Sequence, residues 1–202
     1  MHVEFLLEET SAEEALKAIL PKILGLNNTW TIHAHQGKRD LLAKLENRLK
    51  GYSRWLPEDS VIVVLIDEDR RDCLALKQRL ENTALVAGLG TSSHHGRRDR
   101  IQVVNRIAVE ELEAWFFGDM EALLTAYPRI FRRLDREAPY RDPDAIRGGT
   151  WEALARVLKR AGYLRESLSK IEVARTVSRH MDPRRNKSRS FCCFRDALGR
   201  LQ

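Results

Sequence analysis

The sequence predicts an α/β protein, a mostly parallel sheet flanked by helices, with a helical extension at its C-terminal end. Three observations carry this. Over residues 1–127, β-rich runs alternate with amphipathic runs of helical period, the pattern of parallel strands joined by crossover helices. Residues 61–66 (Val-Ile-Val-Val-Leu-Ile) are continuously apolar, as a central strand covered on both faces must be. Beyond about residue 128 strand signals vanish, Arg, Pro and Gly become frequent, and only helical periods remain.

Taken in order, residues 3–7 read as the first strand. Ser11 followed by Glu14 makes a capping box for a helix carrying Ala15, Leu16, Ile19, Leu20, Ile23 and Leu24, with Pro21 expected to kink or interrupt it. Residues 29–34 form a second strand. After Gly37, Leu41, Leu42, Leu45 and Leu49 recur at helical spacing. The strand at 61–66 runs straight into Asp67-Glu68-Asp69, and a helix over 72–87 follows. A polar loop over 90–99 contains His94 and His95; residues 101–107 read as a fourth strand, and Glu110 opens a helix through Leu112, Trp115 and Phe116. Helices are expected over 150–161, 168–180 and 190–199. With few large apolar side chains, residues 128–202 read as an extension packed on the α/β domain of 1–127, because so small a unit would be marginal alone.

Composition narrows the function classes. The chain has 202 residues, 43% hydrophobic and 32% charged, which excludes wholesale disorder. Its apolar runs fall short of the roughly 20 residues of a membrane span, and residue 3 already enters a strand, so neither a membrane anchor nor a signal peptide is expected. Cys73, Cys192 and Cys193 form no CxxC pair, which points to a reducing cytoplasm rather than disulfides or structural zinc. The formal net charge of +6 comes with clusters at Arg70-Arg71, Arg97-Arg98-Arg100, Arg132-Arg133 and Arg184-Arg185 with Lys187 and Arg189. Such an excess favours encounters with polyanions, although any single cluster also reads as a solvated face.

The acids are more specific. Ligands of a parallel sheet bind outside the carboxyl ends of its strands, and three strand ends deliver carboxylates: Glu8-Glu9, then Asp67 and Asp69, then Glu110, Glu111 and Glu113. Asp67 and Asp69 project to one side if the chain stays extended, and Glu110 and Glu113 share a face if helical. A lone acid after a strand is usually a cap or a solvated loop residue, but Ser11 already supplies the cap that Glu8 or Glu9 could have made. Convergent carboxylates without a cation repel and raise one another's pKa. Convergence therefore implies Mg²⁺ or Mn²⁺, hard ions that take one or two carboxylates and keep positions for water and phosphate.

Leu7-Glu8 at the end of a first strand, with Ile66-Asp67-Glu68-Asp69 after a later apolar strand, resembles the Toprim pattern of a Glu followed by DxD. Glu9 stands where that pattern commonly has Gly. The stretches 37–42 (Gly-Lys-Arg-Asp-Leu-Leu), 110–115 (Glu-Glu-Leu-Glu-Ala-Trp) with Asp119, and 186–191 (Asn-Lys-Ser-Arg-Ser-Phe) are similar to a Toprim-like bacterial family of unknown function. That family is related to overcoming-lysogenization-defect nucleases and is often encoded beside ATPases in anti-phage modules. The resemblance implies catalytic roles for Glu8, as a metal ligand or general acid/base, and for Asp67 and Asp69 as metal ligands, with Glu113 and Glu110 completing a second metal position, and hydrolysis of DNA or RNA with a co-encoded ATPase. The alternative it leaves is a non-catalytic regulatory or binding subunit of an ATPase complex; self-association stays open.

Phosphate contacts are expected from Lys38, behind Gly37 at a helix start, and from the extension, where Arg184, Arg185, Lys187 or Lys170 should border the acidic cleft. A plain helix start and a surface lysine compete for Lys38 and Lys170, and the Gly37-Lys38 segment is no P-loop. His33, His35, His94 and His95 lack the spacing of zinc ligands. Trp115, Phe116 and Phe117 read as core, Phe191 and Phe194 as a helix anchor. A receiver-like phosphoacceptor leaves the acids after the fourth strand without a role, and a haloacid-dehalogenase-type phosphatase would carry its DxD on the first strand.

Overall fold

The computed structural model describes residues 1–25, 27–69, 72–93, 100–163 and 169–201. Strands β1 (His2–Leu7), β2 (Thr29–Ala34), β3 (Ser60–Asp67) and β4 (Val103–Ala108) alternate with helices α1 (Thr10–Leu24), α2 (Lys38–Trp55) and α3 (Cys73–Val86). The sheet is parallel in the order β2-β1-β3-β4. Its register sets Leu7 beside Ala34 and Leu65, and Asp67 beside Ala108, so the carboxyl ends of the strands lie along one edge. Arg70, Arg71, His94, His95, Arg97, Arg98 and the start of the helix expected from 168 lie outside the described residues.

The apolar run of β3 is explained by two cores. Val61, Val63 and Leu65 face one with α1, while Ile62, Val64 and Ile66 face the other with α2 and α3. After β4 come α4 (Ala114–Gly118), α5 (Met120–Ala126), three 3₁₀ turns between Leu134 and Ala145, and helices α6 (Thr150–Arg160), α7 (Lys170–Ser178) and α8 (Arg189–Gly199). These C-terminal helices close the core of β1 and α1 instead of building their own. Phe194 meets Phe5 at 6.5 Å between ring centroids and Trp115 at 5.1 Å, and the Trp115 indole N–H donates to Ser190 Oγ at 3.0 Å. Gly118 is required here: a Cβ on it would overlap the Asn186 amide oxygen and come within 2.9 Å of Ser188 N.

Four local expectations are corrected. Helix α1 starts at Thr10, so Ser11 lies inside its first turn and Glu9 takes the N-cap position. Ser11 donates to the Glu9 carboxylate instead of capping an amide. The helix runs unbroken across Pro21, whose missing N–H removes one bond without ending it. Glu110 opens no helix: its φ is +58°, and α4 begins only at Ala114 with Glu113 at the N-cap. Strand β4 starts at Val103, two residues later than expected. His33 is hydrogen-bonded to Glu4 at 2.7 Å and His35 to the Leu7 carbonyl at 2.9 Å. Among the described residues no helix is long and apolar enough to cross a membrane.

Candidate acidic site at the carboxyl end of the sheet

Asp67 ends β3 while still buried, and Glu113 is completely buried at the start of α4. The Asp67 amide donates to Glu8 Oε2 at 3.3 Å, tying the exits of β3 and β1 together. Neither carboxyl oxygen of Glu113 has a hydrogen-bond partner from another residue. Burial is the main reason that Asp67 holds its proton well above the usual carboxylate range, with the Glu113, Glu8 and Glu9 charges adding to it. Burial likewise pushes Glu113 up to about 7, against the pull of Lys170, and raises Glu8. A buried carboxylate without hydrogen bonds is costly. Its presence beside two more acids concentrates negative charge that the fold must offset.

Lys170, on the first turn of α7, supplies positive charge there. Its ammonium lies 3.7 Å from Glu111 Oε1, 3.8 Å from Glu9 Oε1 and 4.0 Å from Glu113 Oε2, above the Trp151 ring at 5.7 Å. Burial alone would lower the Lys170 pKa, but the surrounding carboxylates outweigh it and raise it. The other oxygen of Glu111 accepts from the Trp151 amide at 2.8 Å and the Thr150 hydroxyl at 3.1 Å. Glu111 therefore caps α6, satisfying one of the amides that a helix start leaves open.

Asp69 and Glu110 leave their strand exits differently, although the Asp69 charge still acts on Glu8 and raises its proton affinity. Both have left-handed backbones, φ +52° and +58°, which is uncommon for residues with a Cβ. The two exits brace each other: Asp69 N donates to Glu110 O at 3.0 Å, and Glu110 N to Glu68 Oε2 at 3.1 Å. The turn sends Asp69 to Lys38, whose buried ammonium lies 2.7 Å from Asp69 Oδ2. With Glu110, Glu111, Gly149 and Glu152, Asp69 lines a hollow of about 260 Å³. Asp69 is thus paired with Lys38 while Asp67 stays buried, both of them acting on Glu8, and Glu110 and Glu113 share no helix face. Among the described residues, no three His, Cys, Asp or Glu side chains are arranged to hold one ion. The donor chemistry suits a hard divalent cation, and the unpartnered Glu113 oxygens are where one would be felt most; the present balance is struck with two lysines instead.

The other expected cations lie elsewhere. Arg185 grips the fully buried Asp119, Nε to Oδ1 at 2.7 Å and NH2 to Oδ2 at 3.0 Å, and reaches Glu121 at 3.0 Å. Lys187, exposed and 3.9 Å from Asp135, lines a hollow of about 370 Å³ with Arg185 and Asp119. Arg184, exposed, lines another with Lys22 and Arg195. Of the extension's expected phosphate contacts, only Lys170 stands among the strand-end acids, because the others are held by acids of their own. Sequence reasoning missed Glu9 and Glu111 as Lys170 partners, and Trp151 beneath it. Gly148-Gly149 before a helical period was the available signal for the α6 start that Glu111 caps.

A parallel four-stranded sheet with acids gathered at its carboxyl edge defines an α/β protein with a strand-end acidic site. The chain belongs to the family described as Domain of unknown function (DUF4276), whose model matches residues 7–202. No curated protein matches it. The solved C-terminal region of the OLD protein of Xanthomonas campestris pv. campestris is similar over 97% of this chain and 95% of that one, at 18% identity and a TM-score of 0.44.

Proposed function

We propose that this protein is a Mg²⁺- or Mn²⁺-dependent enzyme that hydrolyses phosphodiesters of DNA or RNA, acting as the effector of an ATPase-coupled anti-phage module. One observation carries the reading: Asp67 and Glu113, from two different strand exits, are buried together with raised proton affinity, and the Glu113 oxygens lack a donor. Structural acids are normally hydrogen-bonded when buried. Glu8, Asp67 and Glu113 are the acids that would hold a divalent ion by closing together from their present arrangement, with Asp69 and Glu110 in the adjoining hollow. When bound, such an ion polarises a phosphoryl oxygen and lowers the pKa of water. The chain's own contributions are separate. Glu8 is a carboxylate whose proton affinity burial raises, the direction that suits a proton-transfer group. Lys170 brings an ammonium to the place where a phosphate oxygen would lie, and Lys38 positions Asp69.

The test is cleavage of DNA and RNA substrates in Mn²⁺ or Mg²⁺, by the protein alone and with a co-encoded ATPase, paired with calorimetry. Asp67→Ala abolishes cleavage and the metal-induced rise in Tm, while the metal-free variant stays folded. A wild-type melting curve indifferent to both ions, with no cleavage, removes the metal-enzyme reading.

A second reading has its own support. Because Lys170 and Lys38 already balance the acids, the same fold serves as a non-catalytic regulatory subunit of an ATPase complex. That reading predicts ATPase binding that survives Asp67→Ala.

A further inference from the structure

One excess of basic charge lies on the segment that leads into and along α6. Between residues 128 and 163 there are nine Arg and Lys against five Asp and Glu. Helix α6 links the two regions. Its first turn is capped by Glu111 and carries Glu152 into the acidic hollow, while Arg156, Lys159 and Arg160 are exposed on its later turns. Positions three and four apart share a helix face, and these three, with Tyr140, line one hollow of about 360 Å³. Arg160 also borders a neighbouring hollow of about 280 Å³ with Arg129 and Phe131. Phe131 is 60% exposed.

Little neutralises this surface. Among the described residues Arg156 and Lys159 have no acidic partner, and Arg160 has only Glu137 at 3.9 Å while itself largely exposed. The helix dipole rewards cations in a last turn, which accounts for Lys159 and Arg160 but for neither Arg156 nor the exposed Arg132 and Arg133 on the preceding loop. Arg is the side chain best shaped to fork onto phosphate, and an exposed aromatic ring beside it is what a base stacks on. From Glu152 to Arg160 the helix rises about 12 Å, the length of three to four nucleotide steps at about 3.4 Å each.

We propose that the concave face of Arg156, Lys159 and Arg160, with Phe131 at its rim, binds the sugar–phosphate backbone of a nucleic acid and directs it along α6 toward the acidic site. This rests on the phosphodiester reading above and assigns it a binding surface that does not use Arg184, Arg185 or Lys187. An acidic protein would find the charge but no use for the exposed ring.

The test is fluorescence anisotropy of labelled single-stranded and duplex DNA and RNA across a salt series, with EDTA present so that cleavage does not interfere. The triple variant Arg156→Gln/Lys159→Gln/Arg160→Gln binds at least about 10-fold more weakly, and its log–log salt slope falls by about 2 to 3. Single Arg156→Gln and Lys159→Gln variants shift affinity in the same direction by about 2- to 5-fold, which covers the case of a triple variant that does not fold. Phe131→Ala weakens single strands more than duplexes. The Mn²⁺-induced Tm shift of each variant matches that of wild type. Unchanged affinity and slope in the variants, or a wild type that binds no nucleic acid but does bind an acidic protein through these residues, overturns the inference. Loss of the metal effect in wild type itself would instead count against the metal reading.

Discussion

The Lys170 ammonium stands 4.0 Å from Glu113, a carboxylate buried at the start of a helix more than fifty residues earlier in the chain. With Glu9 and Glu111 also within 3.8 Å of it, one lysine balances acids from both the β1 and β4 exits. Lys170→Met removes that balance and leaves carboxylates facing one another. In EDTA at pH 8 we expect a loss of about 1–2 kcal/mol, between the values for an exposed and a buried pair because Lys170 is partly exposed. Millimolar Mn²⁺ restores part of it. Chemical denaturation with and without Mn²⁺ checks this; a variant as stable as wild type would show that the ammonium is a bystander.

Glu113 makes stability depend on pH in a stated direction. Its folded pKa, about 7, lies above its ordinary value of 4.5, so the folded state holds the proton more tightly. The favourable contribution is fully present below about pH 4.5 and is lost as pH rises through about 7. Glu113→Gln cannot ionise, so in EDTA it should be more stable than wild type at pH 8 by about 1–3 kcal/mol. Near pH 4 that advantage should disappear. Equal differences at both pH values would mean that Glu113 does not titrate in this window.

Asp119 and Arg185 test the structural assignment of a basic cluster. Asp119 also accepts from the amides of Ala122 at 3.2 Å and Asp182 at 2.8 Å, so it caps α5 and ties down the segment before α8. Asp119→Ala should cost about 3 kcal/mol, since it strands a guanidinium and two amides. It should leave the size of any Mn²⁺-induced Tm shift as in wild type. A shift abolished in a folded Asp119→Ala protein would place this pair in the site instead.

Gly118→Ala probes the same docking from the other side. The added methyl has no room beside Asn186 and Ser188, and Asn186 cannot retreat without giving up its bond to the Trp115 carbonyl at 2.7 Å. We expect a loss of about 2 kcal/mol, read by thermal melting. Gly51→Ala, where nothing stands within 4 Å of the new Cβ, serves as the control and should be neutral or slightly stabilising.

What the sequence determined by itself was the local backbone and the burial pattern. Alternating periods and the unbroken apolar run of β3 require a sheet covered on both faces, and parallel connections then bring Glu8, Asp67 and the acids after β4 to one edge. Those features are written in neighbouring residues, so a single sequence carries them. The tertiary structure decided where each charge points. The left-handed turns at Asp69 and Glu110 bring Asp69 to Lys38 and keep Glu110 out of a helix, a change of direction that period counting cannot detect. It also decided which cation meets which acid. Lys170 meets Glu9 and Glu113 because α7 packs on α1 and α5, and Arg185 is claimed by Asp119 once α8 docks on β4 and α1. Charge pairing is a property of distance in space, and those distances exist only once the C-terminal helices close on the core.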